Sequence, residues 1–494
     1  MPSELGQYEC LGRICPGLRK AFPVQSSYRF TVGSAVFDEQ NLVSAAGLVA
    51  VLELAEQTGL SRLISEQVDL PSTRVKSGAV NPAGKLTTII AGILCGADSI
   101  DDANLLRAGG TPQVFNEVYA PSTLGIFLRE FTFGHANQLA AVARAHLVAL
   151  AQRVPLLPGI AERVFVDIDS LLRPVYGHQK QGASFGHAKI AGRALLRKGL
   201  SPQITTMSTA TGAPVIAEAR LRSGKSASGR AAASQITQAI TTARACGATG
   251  TIMVRGDSAF GTKKVITTCV GLGHGVQFSL SMARNPAITR AIDAIDESAY
   301  TPVRYPGAVT DPDTGVLISD AEVAETSYTL SLGRGKKLTA RLVVRRVKDA
   351  RYPDALFPVW RYHPFLTNSE LPTAEADITH RRHAIIETTF ADLIDGPLAH
   401  VPSGLFAANC AWLACASIAH NLLRAAGTLA GGDHAVARGA TLRRDLVNVP
   451  ARFAAPARKP MLHLPAHWPW QAGWKTLWDS VIGRNYPTTQ PRAA

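Results

Sequence analysis

Three acidic residues stand where their types and spacing could do chemistry. Asp169 ends the short apolar run Val164-Phe165-Val166-Asp167-Ile168. Asp257 follows the run Thr251-Ile252-Met253-Val254 by way of Arg255 and Gly256, 88 positions later. Glu387 lies 130 positions further on, in a stretch of helical apolar spacing that includes Ile386, Phe390 and Ala391. A strand end suits an acid that must act, because the sheet fixes the side chain while leaving it open to solvent. Carboxylates gathered together repel one another unless cations neutralise them, and their hard oxygens suit Mg²⁺ or Mn²⁺. Two such ions about 4 Å apart activate a water and stabilise the leaving oxygen of a phosphodiester, so the chemistry within reach is metal-dependent phosphoryl transfer. Asp167 is a second candidate for the first acid. It lies two residues from Asp169 and shares its strand face, so the residues alone leave open which of the two is the ligand. Singly, an Asp at a strand end is commonly a turn or cap residue. Placed on a first strand, a fourth strand and a closing helix, the three acids read together as a metal site of Asp169, Asp257 and Glu387.

The elements that must position them can be read from the apolar pattern. Val164–Asp169, Gln203–Ser208 and Pro214–Leu221 are strand-like, the last two joined by the turn signal Thr209-Ala210-Thr211-Gly212. An Ala-rich helix, Gly229–Cys246, precedes the buried strand Thr251–Val254. A helix over Thr262–Gly271 and a strand over Val276–Leu280 follow. Three strands, helix, strand, helix, strand is the order of an RNase H-like core: an antiparallel meander extended in parallel through helical crossovers. The fold class expected is therefore α/β, a mixed sheet with flanking helices. In that order the first and fourth strands lie side by side and parallel, so Asp169 and Asp257 emerge at one edge.

Around this core the chain divides into regions. Residues 1–155 place apolar residues three or four apart over Leu42–Leu54, Lys85–Leu94, Pro121–Phe131 and Gln138–Gln152, and read as a helical, DNA-binding region. Residues 156–283 hold the first part of the core. Residues 284–368 form a β-rich insertion with strands over Tyr328–Leu332, Leu338–Arg346 and Val359–Thr367. Residues 369–427 complete the core, beginning with one long helix from Thr373 to about Asp395. The apolar run Leu405–Ala426 contains Asn409, Ser417, His420, Asn421 and Arg424, which are costly in hydrocarbon; it reads as a helix buried inside the protein, not a membrane span. Residues 428–494 are a basic tail whose Trp468, Trp470, Trp474 and Trp478 suit a packed pair of helices.

Charge points to the partner. The chain has 51 Lys and Arg against 37 Asp and Glu, a net +14, and +7 of this lies in residues 396–494. A basic surface attracts polyanions, of which nucleic acid is the commonest. Tyr176–Gly182 is rich in donors just past the first acid, and His178 and Lys180 are candidate DNA contacts there. The seven cysteines, an odd number scattered over a long chain, suit a reducing cytoplasm; Cys10 and Cys15 find no second pair at zinc-binding spacing. Ser223-Gly224-Lys225-Ser226 lacks the first glycine of a phosphate loop, since Ala219 stands there, so ATP binding is not expected. Gly256-Asp257-Ser258-Ala259-Phe260 misses a serine-hydrolase elbow because its closing glycine falls at Gly261.

The segments VFVDIDSLLRPVYGHQKQGAS, VRGDSAFG and THRRHAIIETTFADL resemble the three acidic motifs of DDE transposases from bacterial insertion sequences. FLTNSE before the last motif and PSGLFAANCAWLACASIAHNLLR after it resemble the branch with a β-strand insertion between the second Asp and the Glu. The resemblance covers about residues 120–426. It implies a triad of Asp169 (or Asp167), Asp257 and Glu387 binding two Mg²⁺ or Mn²⁺ ions. It further implies cleavage at transposon ends and attack of the freed 3′-hydroxyl on target DNA. The partners implied are the terminal inverted repeats and the target duplex, held by a homodimer that forms on DNA in the bacterial cytoplasm. Arg381, Arg382 and His383 beside the third motif are then phosphate donors, with His380, and Arg255 joins them beside the second. Hairpin-forming relatives carry Tyr, Arg and Lys where His380, His383 and Ile394 stand, a departure that bears on the strand-processing route. Trp360 or Tyr362 would be the inserted aromatic that holds a flipped base. Two other readings are a simpler RNase H-like nuclease and a DNA-binding protein that has lost catalysis.

Overall fold

The computed structural model describes residues 34–70, 78–115, 118–177, 179–190, 193–227, 229–333, 335–352 and 354–483. The chain separates into two units, Met1–Gln40 and Asn41–Ala494. In the first, the described residues 34–40 carry no helix or strand. Everything below concerns the second.

Helices come first among the described residues, the longer ones being α1 (Leu48–Gln57), α2 (Leu60–Gln67), α3 (Pro82–Cys95), α4 (Pro121–Arg129) and α5 (Phe133–Arg153). Local chemistry sets their ends. The Asn81 side chain accepts from the Gly84 N–H, Pro82 opens α3, and Gly96 closes it at φ +110°. Thr132 and His135 form a reciprocal capping box at the start of α5. Leu42–Val43, expected within a first helix, instead pairs with Ala451–Ala454, which pairs in turn with Met461–His463. These later segments are thus woven onto this region, and among the described residues the tryptophan segment, expected as a packed pair of helices, holds one helix, α11 (Gln471–Val481).

The core follows in the order read from the sequence: β1 (Arg163–Ser170), β2 (Arg193–Ser208), β3 (Val215–Ser223), α6 (Ala232–Ala245), β4 (Thr251–Gly256), α7 (Lys263–Gly271) and β5 (Val276–Ser281). β1 is antiparallel to β2 and parallel to β4; β4 is parallel to β5; β3 is antiparallel to β2. The spatial order β3-β2-β1-β4-β5 is that of an RNase H-like sheet. The run from Val164 to Ile168 is buried on both faces, as expected for a strand central to a covered sheet.

The insertion supplies β6 (Ala321–Gly333), β7 (Lys336–Lys348) and β8 (Trp360–Thr367). They do not form a sheet of their own. β8 pairs antiparallel with β5, with Phe365, Leu366 and Thr367 opposite Ser281, Leu280 and Ser279, and β7 and β6 continue outward. The core sheet therefore runs on as β5-β8-β7-β6.

The single long helix expected from Thr373 is broken into α8 (Thr373–Arg381), a 3₁₀ turn (Arg382–Ile385) and α9 (Ile386–Ile394). The tighter turn re-aims the side chains of this segment, and His383 lies within it. α10 (Phe406–Ala430) has the length and apolar composition to cross a membrane, yet most of it is buried in the fold. Its polar residues have protein partners. Asn421 accepts from the Ile216 N–H at 2.8 Å and donates to the Ile216 carbonyl at 2.9 Å, next to a register shift in the pairing of β2 with β3. An amide inside the helix thus satisfies a backbone unit that the irregular strand leaves over.

Candidate active site and metal centre

Parallel pairing sets Asp167 on β1 opposite Arg255 on β4. Their side chains meet in a bidentate ion pair, Arg255 Nε to Asp167 Oδ1 and Nη2 to Oδ2, both 2.7 Å, with the residues 0% and 1% exposed. The guanidinium lies over the Phe165 ring at 4.2 Å and donates to the Thr379 carbonyl at 2.8 Å. His383 adds its Nδ1 at 3.1 Å from Asp167 Oδ1. Burial alone would raise the Asp167 carboxyl, but Arg255 and His383 outweigh it and hold it below its ordinary value.

This pair decides where the strand-end acids stand. Asp169 is two residues beyond Asp167 on β1, and Asp257 two beyond Arg255 at the end of β4. Gly256 lets β4 end between its neighbours: a Cβ there would lie 3.1 Å from that of Phe260 and 3.3 Å from side-chain atoms of Ile168 and Leu280. Gly261 closes the turn against β5, where a Cβ would sit 2.1 Å from the Ser281 carbonyl oxygen. Gly261 is thus required by backbone approach and Gly256 by close side-chain packing, with the Phe260 side chain as the buried plug between them.

The structure brings Asp169, Asp257 and Glu387 into one electrostatic neighbourhood. Burial is the main cause that lifts the Asp169 carboxyl to about 6; the Ser170 N–H, donating at 2.6 Å, opposes it, and the like charges of Asp257 and Glu387 add to it. Asp257 and Glu387 are exposed and Asp169 half-buried. Asp257 turns Oδ1 to the Ala259 N–H at 2.9 Å, as Asp169 does to Ser170. With these oxygens facing their own backbone donors, no group of three or more His, Cys, Asp or Glu among the described residues is disposed to hold a metal ion as it stands. The donor set itself, two carboxylates whose like charge raises the proton affinity of the third, Asp169, has the chemistry of a hard-cation site.

The other site residues take varied positions. Arg255 is sealed in the core and cannot meet DNA from there. Lys180 donates to the carbonyls of Val401 at 2.6 Å and Ser403 at 3.1 Å, tying its loop to the segment before α10. His178 lies outside the described residues. Arg382 is exposed, while Arg381 bonds Asp377 at 2.8 Å and the Arg304 carbonyl at 3.3 Å. His380 stacks on Phe365 at 4.2 Å, and its two ring nitrogens meet the hydroxyls of Ser279 and Ser281, each at 2.9 Å. Burial pushes its pKa down to about 3, so it is a neutral packing residue and not a phosphate grip. Trp360 shares the Arg346 guanidinium with Tyr300, at 4.4 and 3.8 Å, and Tyr362 faces Arg284 at 5.7 Å. The sequence reading passes over Asp377, a buried acid that ties α8 to β7 through Arg345 and is bonded by Arg381 one helical turn on; the four-residue spacing to Arg381 is the signal that marks it.

A family model described as "Transposase DDE domain group 1" matches residues 33–482. Among solved structures, the chain is similar to one in the cryo-EM structure of a piggyBac transposase synaptic complex with hairpin DNA. The two are 10% identical with a TM-score of 0.43, over 90% of this chain and 83% of that one. No curated protein matches the sequence.

Proposed function

The chain belongs to the family of group 1 transposase DDE domains, and from that premise we propose that it excises and integrates a DNA element by two-metal phosphodiester hydrolysis and strand transfer. Asp169, Asp257 and Glu387 hold the ions in this reading, and the observation that carries it is that Asp169 and Asp257 end two paired parallel strands at the same edge, with Glu387 near enough for its charge to act on Asp169. Two Mg²⁺ or Mn²⁺ ions, when bound, activate the attacking oxygen and neutralise the leaving one.

The remaining work falls to the chain's own side chains. Asp169 rather than Asp167 is the first acid, because both oxygens of Asp167 are taken by Arg255. The Arg255–Asp167 pair fixes the two strand ends against each other. His383, whose proton affinity is raised by its bond to Asp167 against the effect of burial, favours the protonated ring beside Asp169 and Asp167. Arg382 is placed to meet phosphate as the substrate backbone arrives. The partners proposed are the element's terminal repeats and a target duplex, with a dimer forming on DNA. The described cysteines Cys95, Cys246, Cys269, Cys410 and Cys415 are free thiols, which suits the reducing cytoplasm proposed for the protein.

The test is cleavage of DNA that carries the element's ends, with Mg²⁺ or Mn²⁺, by wild type and Asp257→Ala. Metal-dependent cleavage lost in the variant is the expected result. Cleavage that persists in Asp257→Ala refutes the triad, and tight end-binding without cleavage by the wild type would mark an inactive binder.

A further inference from the structure

β2 is longer than the sheet it belongs to. It pairs with β1 from Ser208 back to Gln203, and Gln203 stands opposite Ser170, the neighbour of Asp169. From Pro202 back to Arg193 the strand continues past the carboxylate end of β1. β3 accompanies it as far as Leu200, opposite Ser223. Beyond that the partner is the strand Ser184–Ile190, in register from Ser184 opposite Gly199 to Ile190 opposite Arg193. At about 3.3 Å per residue this two-stranded ribbon reaches roughly 30 Å beyond Gln203.

Its root is fixed. A Cβ at Gly186 would lie 2.3 Å from the Gly224 carbonyl oxygen, one at Gly199 2.3 Å from that of Arg173, and one at Gly224 2.2 Å from that of Ser184. The hydroxyls of Ser184 and Ser223 are 2.6 Å apart, and the Lys225 N–H donates to Ser184 Oγ at 2.8 Å. Backbones packed this closely leave little play. Among the described residues, no helix or strand other than β2 packs broadly on Ser184–Ile190.

The ribbon carries basic residues in its sequence, and among its described side chains Arg197 stands exposed beside bare apolar groups. From Ser184 to Gly199 the sequence has Lys189, Arg193, Arg197 and Lys198 and no Asp or Glu. Phe185 is 62% and Leu196 55% exposed. Cross-strand register sets Phe185 beside Lys198 and His187 beside Leu196 on one face, with Arg197 on the other, opposite Gly186. A second copy of a chain with net charge +14 would meet this ribbon with like charge. A duplex meets it with opposite charge, and its major groove is wide enough for a two-stranded ribbon, whose apolar side chains can touch thymine methyls.

We propose that the ribbon formed by residues 184–190 and 193–199 is an arm that lies in a groove of duplex DNA on the flank beyond the scissile position, with Arg197 and Lys198 on phosphates and Phe185 and Leu196 inside the groove. The proposal rests on the reading of the chain as a DNA-cutting enzyme. It adds a substrate-holding surface outside the acidic site.

The test uses the full chain and a mixed-sequence duplex of about 40 base pairs, titrated across a salt series. Arg197→Gln with Lys198→Gln is expected to weaken binding about three- to tenfold and to make the salt slope shallower by about 1.8, the value for two phosphates. Phe185→Ser with Leu196→Ser is expected to weaken binding with the slope unchanged. Wild-type affinity and slope in the Arg197/Lys198 variant, at an unchanged thermal midpoint, overturn the arm and leave the enzyme reading standing. A wild type that fails to bind the duplex overturns both. Variants that alter the oligomeric mass while keeping the DNA slope assign the ribbon to a second copy and overturn the proposal as well.

Discussion

Arg255 grips Asp167 across the parallel pair β1 and β4, two positions behind the acids that end each strand. The spacing of Asp169 from Asp257 is thus set by a buried ion pair one pleat below the surface. Removing one partner of such a pair leaves a charge stranded in the core, whereas replacing both with apolar groups removes the problem along with the interaction.

Arg255→Met is accordingly expected to lower stability by about 3–5 kcal/mol in urea denaturation. Asp167→Leu combined with Arg255→Met should regain most of that loss. A single variant as stable as wild type would show that the pair does not hold the strands.

Asp169 behaves oppositely. Its folded pKa of about 6 lies above the ordinary value, so its ionised form destabilises the fold at neutral pH, an effect absent at low pH and complete above about 6. Asp169→Asn should raise stability without added metal by on the order of 1–3 kcal/mol. The same variant should lose any stabilisation that Mg²⁺ or Mn²⁺ gives the wild type. Calorimetry with and without metal checks both; a less stable Asp169→Asn would place the residue with the structural acids.

Three histidines predict acid sensitivity. Burial lowers His146 to about 4, His380 to about 3 and His420 to about 4. The unfolded chain takes up these protons from pH 6.5 downward and the folded chain does not. Stability is therefore full above about 6.5 and lost as pH falls toward 4, by up to about 1.4 kcal/mol per pH unit for each histidine. His146 bonds the Thr58 hydroxyl at 2.9 Å, and His146→Gln should flatten the slope between pH 6.5 and 5 by about one proton. An identical slope in the variant would remove His146 from this account.

Arg382 and Lys180 should differ as DNA contacts. Arg382→Gln should weaken duplex binding and reduce the salt slope by about 0.9, the value for one phosphate. Lys180→Met, which cuts the tether to Val401 and Ser403, should lower stability and leave the slope unchanged. A slope lowered in Lys180→Met would contradict the assignment of Lys180 to the loop, and an unchanged slope in Arg382→Gln would remove Arg382 from the DNA contacts.

The core strands were legible because their apolar runs are buried on both faces and interrupted by turn signals, and the strand-end acids followed from the order of those runs. Pairing partners across long separations were not legible. Nothing in the residues near Asp167 marks a choice between metal and Arg255, since both want a carboxylate. The first part of β2 and the strand Ser184–Ile190 escape notice because a ribbon outside the core lacks the alternation that burial imposes. The insertion could be recognised as strands, but its attachment to β5 depends on which edge lies open, a property of the assembled sheet.

That attachment has a consequence for variation in this chain. Because β8 is fastened to β5 before the polypeptide turns into α8 and α9, the position of Glu387 is referenced to the central strands and not to the far end of the hairpins. Trimming, enlarging or replacing the loops at those distal tips is expected to leave the third acid in place, and the rim of the sheet is moved outward to β6 and the short strand Thr301–Pro302 that pairs with it. Diversification of the outer hairpins is therefore expected to be uncoupled from the alignment of Asp169, Asp257 and Glu387.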